Sequence, residues 1–194
     1  MKFAYYISII LVLLSQFGFS QTKNEKEERI KASHFPESAK TLIKSLPKDC
    51  KHLKFYKETD NDKRSYEIKF KYKKQRFSLE FSEDGKIEDI EVLIKFKKVK
   101  KSTRNKIEDY LKNNYQKHKL IKIQKQFIYS SKISPSQFVD DVLSNNSNVT
   151  PNFEIIAEVK SNKKREVKEF TFNNKGEFMT SRPLNPTSYE HVLY

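Results

Sequence analysis

Residues 65–82 constrain the fold more than any other stretch of the chain. SYEIKFKY (65–72) puts Tyr66, Ile68, Phe70 and Tyr72 on one side and Glu67, Lys69 and Lys71 on the other. RFSLEFS (76–82) repeats the pattern with Phe77, Leu79 and Phe81. A period of two is that of a strand with one face in a core. Asp84-Gly85 then supplies a tight turn that needs positive φ, and KIEDIEVLIKF (86–96) returns with Ile90, Val92, Ile94 and Phe96 inward. Ile87 falls out of phase, which predicts a bulge or a late strand start. HLKFYKET (52–59) is a further strand upstream. Ahead of it, HFPESAKTLIKSLP (34–47) carries Phe35, Ala39, Leu42, Ile43 and Leu46 at helical spacing, with Pro36 at the first position and Pro47 at the end.

The series then starts again. STRNKIEDYLKNNY (102–115) is a helix that Ser102 or Thr103 caps, with Ile107, Tyr110, Leu111 and Tyr115 as its buried stripe. KLIKIQKQFIY (119–129) is a strand with Ile121, Ile123, Phe127 and Tyr129 inward. SPSQFVDDVLSNNSNVT (134–150) interrupts with a short helix and a polar loop. NFEIIAEV (152–159), REVKEFTFN (165–173) and EFMTS (177–181) complete the set, with Asn174-Lys175-Gly176 turning the chain before the last strand. Of only 3 glycines, Gly18 sits in an apolar leader, so Gly85 and Gly176 are the two in the body, each in the last hairpin of its series. The expected fold is α+β: tandem helix–four-strand repeats, residues 34–98 and 102–182, the second carrying the insertion 134–150. They would form one antiparallel sheet with helices on one face and polar alternates in water on the other. Residues 21–33 read as a polar linker or loose helix, and 183–194 as a proline-broken tail.

Lys2, the apolar run YYISIILVLL (5–14) and FGFSQ, with Gly18 and Ser20 at small-residue positions, read as a signal peptide over 1–20. The expectation is an exported protein, periplasmic or secreted, with no transmembrane span after cleavage. The single cysteine, Cys50, is far from the cleavage site, so the chain is not expected to be a lipoprotein and has no internal disulfide. The formal net charge of +14 admits polyanions or an anionic cell surface as partners. Lysine far outnumbers arginine, however, and the same balance arises from an AT-rich coding bias.

FPESAKTLIKSL, KFYKE and RSYEIKFKYKKQRFSLEFSEDGKIEDIEV together resemble the PepSY-like secreted proteins with a beta-lactamase-inhibitor-protein-like fold, found in Bacteroidetes-type bacteria. The likeness lies in the FP before a short helix, the YE strand and the F-x-x-D-G hairpin. FEIIAEV and FTFNNKGEF extend it more loosely, so that it covers about residues 33–182. The resemblance implies tandem repeats, a concave sheet face that binds a protein partner, a peptidase or other envelope enzyme as that partner, and no enzymatic activity.

Chemistry-bearing constellations are scarce. No pair among His34, His52, His118 and His191 has metal-ligand spacing, and Cys50 with His52 is too small a set for zinc. No G-x-S-x-G or phosphate-cradling glycine loop occurs. The acids Glu83, Asp84, Glu88, Asp89 and Glu91 do not fit a twelve-residue calcium loop and read as a solvated hairpin. No cofactor and no catalytic or metal site is expected. Two candidate partner-binding surfaces remain. One is a lysine cluster: Lys71, Lys73, Lys74 and Arg76 with Lys95, Lys97 and Lys98. The other is the outward sheet face, including Lys69, Lys122, Gln124, Gln126 and Ile156. The competing readings are lysines guarding a strand edge against mispairing and an ordinary wet sheet face.

Overall fold

The computed structural model describes residues 22–185. The alternating segments become strands of one antiparallel sheet whose spatial order is the chain order. They are β1 (Glu25–Ile30), β2 (Lys51–Asp60), β3 (Lys63–Tyr72), β4 (Gln75–Ser82), β5 (Ile87–Leu93), β6 (Lys117–Ile128), β7 (Asn152–Ser161), β8 (Lys164–Phe172) and β9 (Phe178–Pro183). Three helices accompany them: α1 (Glu37–Lys44), α2 (Lys101–Asn114) and α3 (Pro135–Leu143). Ser134 caps α3 by accepting from the Gln137 N–H at 3.2 Å, with Pro135 at the first helical position. The expected bulge in β5 is present, because Glu80 pairs with Asp89 and Phe81 with Ile87. The predicted signal peptide lies outside the described residues.

Both body glycines sit where they were expected. Gly85 has φ 78° and Gly176 φ 81°. Their turns are closed alike: Gly85 N–H donates to Ser82 O and Gly176 N–H to Asn173 O, both at 2.9 Å. Each turn is also pressed against the start of a helix. A Cβ on Gly85 would lie 2.3 Å from Ser38 Oγ, and one on Gly176 2.5 Å from Thr103 O. Glycine is thus required twice over, by φ and by space.

Side chains on one face of the sheet form the core in two clusters. Phe35, Ile68, Phe70, Phe77, Leu79, Phe81 and Ile90 gather beneath α1. Ile107, Leu111, Ile123, Phe153, Ile155, Phe170 and Phe172 gather beneath α2.

Several expectations need correction, the cap by Ser102 or Thr103 among them: the N-cap of α2 is Lys100, with no side-chain cap hydrogen bond. Residues 21–33 are not simply a linker or helix: β1 pairs with β2 from Glu25↔Asp60 to Ile30↔Phe55. Its alternates are charged on both faces, so no hydrophobic period marked it as a strand. The 134–150 insertion holds the expected short helix, and that helix is packed into the core rather than exposed. Phe138, Val139, Val142 and Leu143 of α3 are buried in the first cluster, under which the first series of strands lies. Finally, the polar face does not meet open water. Glu67 is 3% exposed, Gln124 6% and Ile156 3%. The sheet curls until its ends touch, with Lys23 N–H donating to Pro183 O at 2.9 Å and Asn185 N–H to Lys23 O at 3.0 Å. Closing a twisted sheet on itself encloses one face and removes edges. Ile121, expected in the core, is displaced by a bulge between Leu120 and Lys122 and packs instead with Ile156 and Leu184.

Candidate functional site

Two features stand out, an enclosed acidic face and an exposed basic corner. The enclosed face is built by register. Glu27 stands opposite Glu58, and Glu67, Glu80 and Asp89 stand in a row across β3, β4 and β5. Glu91 lies one step along, opposite Gln126, and Glu154 and Glu169 continue the face through β7 and β8.

Three cations answer this charge. Lys69 Nζ reaches Glu27 at 2.6 Å and Glu67 at 3.0 Å. Lys23 Nζ reaches Glu25 at 2.6 Å and Glu169 at 3.0 Å. Arg182 donates from Nε to Glu169 at 2.7 Å and from Nη1 to Asp60 at 3.0 Å. The last two residues join the sheet's ends electrostatically as well as through the backbone.

Carboxyl groups on this face separate according to their neighbours. Burial, then nearby carboxylates, pushes Glu58, Glu80 and Glu154 well above the ordinary range. Burial, with Glu91 next in weight, pushes Asp89 up to about 8. Glu25 and Glu169 go the other way: burial opposes, but Lys23 holds both below the ordinary value, helped at Glu169 by Arg182. A face that buries more carboxylates than cations must take up protons or positive charge. The carboxylate oxygens of Glu25, Glu27 and Glu58 come within 4.8 Å of one another, a spacing that a metal ion could span. Two of the three are already held by Lys23 and Lys69. At Cys50, burial and then Asp49 push the thiol upward, which makes it a poorer nucleophile.

The basic corner lies outside. Lys71, Lys73, Lys74 and Arg76 are exposed on the β3–β4 hairpin, and Lys95, Lys97 and Lys98 are exposed beyond β5. Pairing of Phe77 with Val92 brings the base of the hairpin beside the segment that follows β5. None of these seven side chains makes an ion pair among the described residues; Lys73 Nζ lies 4.9 Å from the Tyr72 ring centroid. The hairpin tip is unusual. Tyr72 pairs with Gln75, so Lys73-Lys74 is a two-residue loop, and both residues have positive φ, 44° and 66°. That geometry favours Asn-Gly. The other two-residue hairpins here do place asparagine first, Asn61 at φ 55° and Asn162 at φ 51°.

The structure therefore divides the candidate binding residues. Lys69, Gln124, Gln126 and Ile156 face the interior, where Gln124 donates to Glu91 and Gln126 donates to Asp89 at 2.9 Å. Lys122, opposite Ile156, is half-buried on the same face. Lys23, Glu25 and Glu27 carry no sequence signal for this face, because their segment has no hydrophobic period.

No family model and no curated protein matches the sequence. Solved structures do share the fold. A DUF2874-family protein of Bacteroides ovatus superposes with a TM-score of 0.51 at 9% identity, over 77% of this chain and 87% of that one. A protein of Bacteroides eggerthii, inferred to be periplasmic, gives 0.51 at 10% identity over 77% and 89%. A BLIP-like protein of Bacteroides fragilis gives 0.48 at 9% identity over 77% and 86%. At such identities the likeness is one of fold.

Proposed function

We propose that this chain is an exported, non-enzymatic binding protein of the PepSY-like, inhibitor-like kind. Its basic corner docks an acidic surface of a protein partner, such as a peptidase or other enzyme of the envelope or medium. The observation that carries the reading is Lys73-Lys74. Two lysines hold left-handed backbone at a turn tip where asparagine and glycine would be unstrained, and strain retained at an exposed tip is a mark of function. Five further unpaired cations surround them. The closed acidic face argues against docking on the sheet itself, so the partner is met by the corner and its hairpin. The tandem repeat is supported by the twice-used contact of a glycine turn with a helix start.

The test is capture of partners from host envelope and medium extract on the immobilised chain, at low and moderate salt. The expected result is one protein retained at both salts by the wild type and lost by Lys73→Glu/Lys74→Glu. The net charge of +14 favours a second reading, a binder of polyanions or an anionic surface. That reading requires a broad set of acidic molecules released steeply as salt rises.

A further inference from the structure

Past Lys23, one edge of the sheet stays open. The ends meet at a parallel bridge, Lys23↔Leu184. β9 therefore leads up to the contact and β1 runs on beyond it, with β2 as its one strand neighbour among the described residues. Lys23 turns its N–H and C=O away from β2, to Pro183 O and Asn185 N–H, whereas Asn24 N–H turns toward β2, to Asp60 Oδ1. Successive residues of a strand aim their backbone groups to opposite sides. The N–H and C=O of Glu25, Glu27 and Arg29 are thus aimed off the open edge, where they form a template for another strand. Edge strands are ordinarily guarded by proline, by a bulge or by charges, lysine above all. β9 has Pro183 and a register shift between Thr171 and Phe172 of its neighbour. β1 has no proline and an unbroken register over its 6 residues. It is charged, but with both signs. Lys26, Glu28 and Arg29 are exposed and make no ion pair among the described residues.

We propose that β1 pairs antiparallel with β1 of a second copy, about a two-fold axis at Glu27, and so joins two chains through one continuous sheet. EKEER (25–29) is self-complementary in that register. Glu25 faces Arg29 of the second copy, Lys26 faces Glu28, and the axis repeats both pairs. Opposite charges directly across a ladder favour pairing and like charges oppose it. The one like pair is Glu27 with its own copy, and each Glu27 is held by Lys69 of its own chain at 2.6 Å. The same register satisfies the backbone, because residues with outward N–H and C=O groups meet one another, Glu25 with Arg29 and Glu27 with Glu27. Moving the axis to Lys26 would set Glu25 against Glu27 twice. Moving it to Glu28 would set that exposed carboxylate, which no cation holds, against itself. Main-chain hydrogen bonds thus supply the attraction and the charges fix the register. A two-fold interface must be self-complementary, which is what this sequence provides. The surface is separate from the basic corner and does not depend on the function proposed above.

The experiment is sedimentation velocity of the full mature chain from micromolar to millimolar concentration, with amide exchange followed by NMR. A monomer–dimer equilibrium should appear, and the amides of Glu25, Glu27 and Arg29 should gain protection as the dimer forms. Lys26→Glu and Glu28→Lys each set like charges across the axis twice, so each variant alone should dimerise about tenfold more weakly or worse. Mixed in equal amounts, the two variants should restore the dimer, since their reversed charges then match. A dimer unchanged by Lys26→Glu, or a mixture no better than its components, would overturn the pairing. So would a wild type that stays monomeric at millimolar concentration. Protection of the three amides in that monomer would show the edge to be covered from within its own chain.

Discussion

Asp89 shows how far a single group can be moved by its surroundings. Its folded value of about 8 lies well above that of an exposed aspartate, near 3.9. Between those values the unfolded chain has released the proton while the folded chain keeps it. Folding stability contributed by this group is therefore complete below about pH 4 and is lost as pH rises through 8. Glu27, Glu58, Glu80 and Glu154 tilt stability the same way, and Glu25 and Glu169 tilt it oppositely at acid pH. Urea unfolding from pH 5 to pH 8 in chelator should show stability falling with pH, and Asp89→Asn should make that fall shallower. An unchanged slope would mean that Asp89 titrates normally. The turn tip offers a second residue-scale check. Replacing Lys73-Lys74 by Asn-Gly removes two strained φ values and should stabilise the chain by about 1 kcal/mol. Capture of the partner should fall at the same time. A stabilised variant that still captures it would separate the strain from the binding.

At the scale of elements, the two glycine turns and the helix starts behind them behave as matched units. Gly85→Val and Gly176→Val should each destabilise by about 1 kcal/mol or more, since each forces a branched side chain to positive φ and into a helix start. Equal melting temperatures for both variants and wild type would remove that account. These turns were legible because an aromatic alternation followed by a glycine turn is a strong local signal. β1 was not legible, because strand patterns are recognised by one apolar face and Glu25, Glu27 and Arg29 alternate with Lys26 and Glu28. The sheet's polar face was found but misplaced. Alternation shows which residues share a face, but whether that face is wet depends on the accumulated twist and on where the ends of the sheet meet. Lys23 and Leu184 meet from opposite ends of the described chain, and no local pattern encodes such a contact.

For the whole molecule, α3 decides whether the halves are separable. It follows β6 in sequence yet fills the first cluster, with Phe138 2% exposed against Tyr129 and the strands beneath. Phe138→Ala should cost about 3–5 kcal/mol. Thermal unfolding followed by far-ultraviolet circular dichroism and by tyrosine fluorescence should give coincident, single transitions. Two resolved transitions would show the repeats to be independent domains. The basic exterior and acidic interior were partly visible as composition. The sequence supplies an excess of positive charge, but only the fold sorts most inward carboxylates to one side of the sheet and exposed lysines to a corner.

The placement of α3 also sets an order of events during synthesis. The strands β2 to β5 and helix α1 leave the ribosome well before residues 135–143 exist. Until then, the aromatic surface around Phe70, Phe77 and Phe81 lacks part of its cover. A fragment ending at residue 98 is therefore expected to leave part of that apolar surface uncovered.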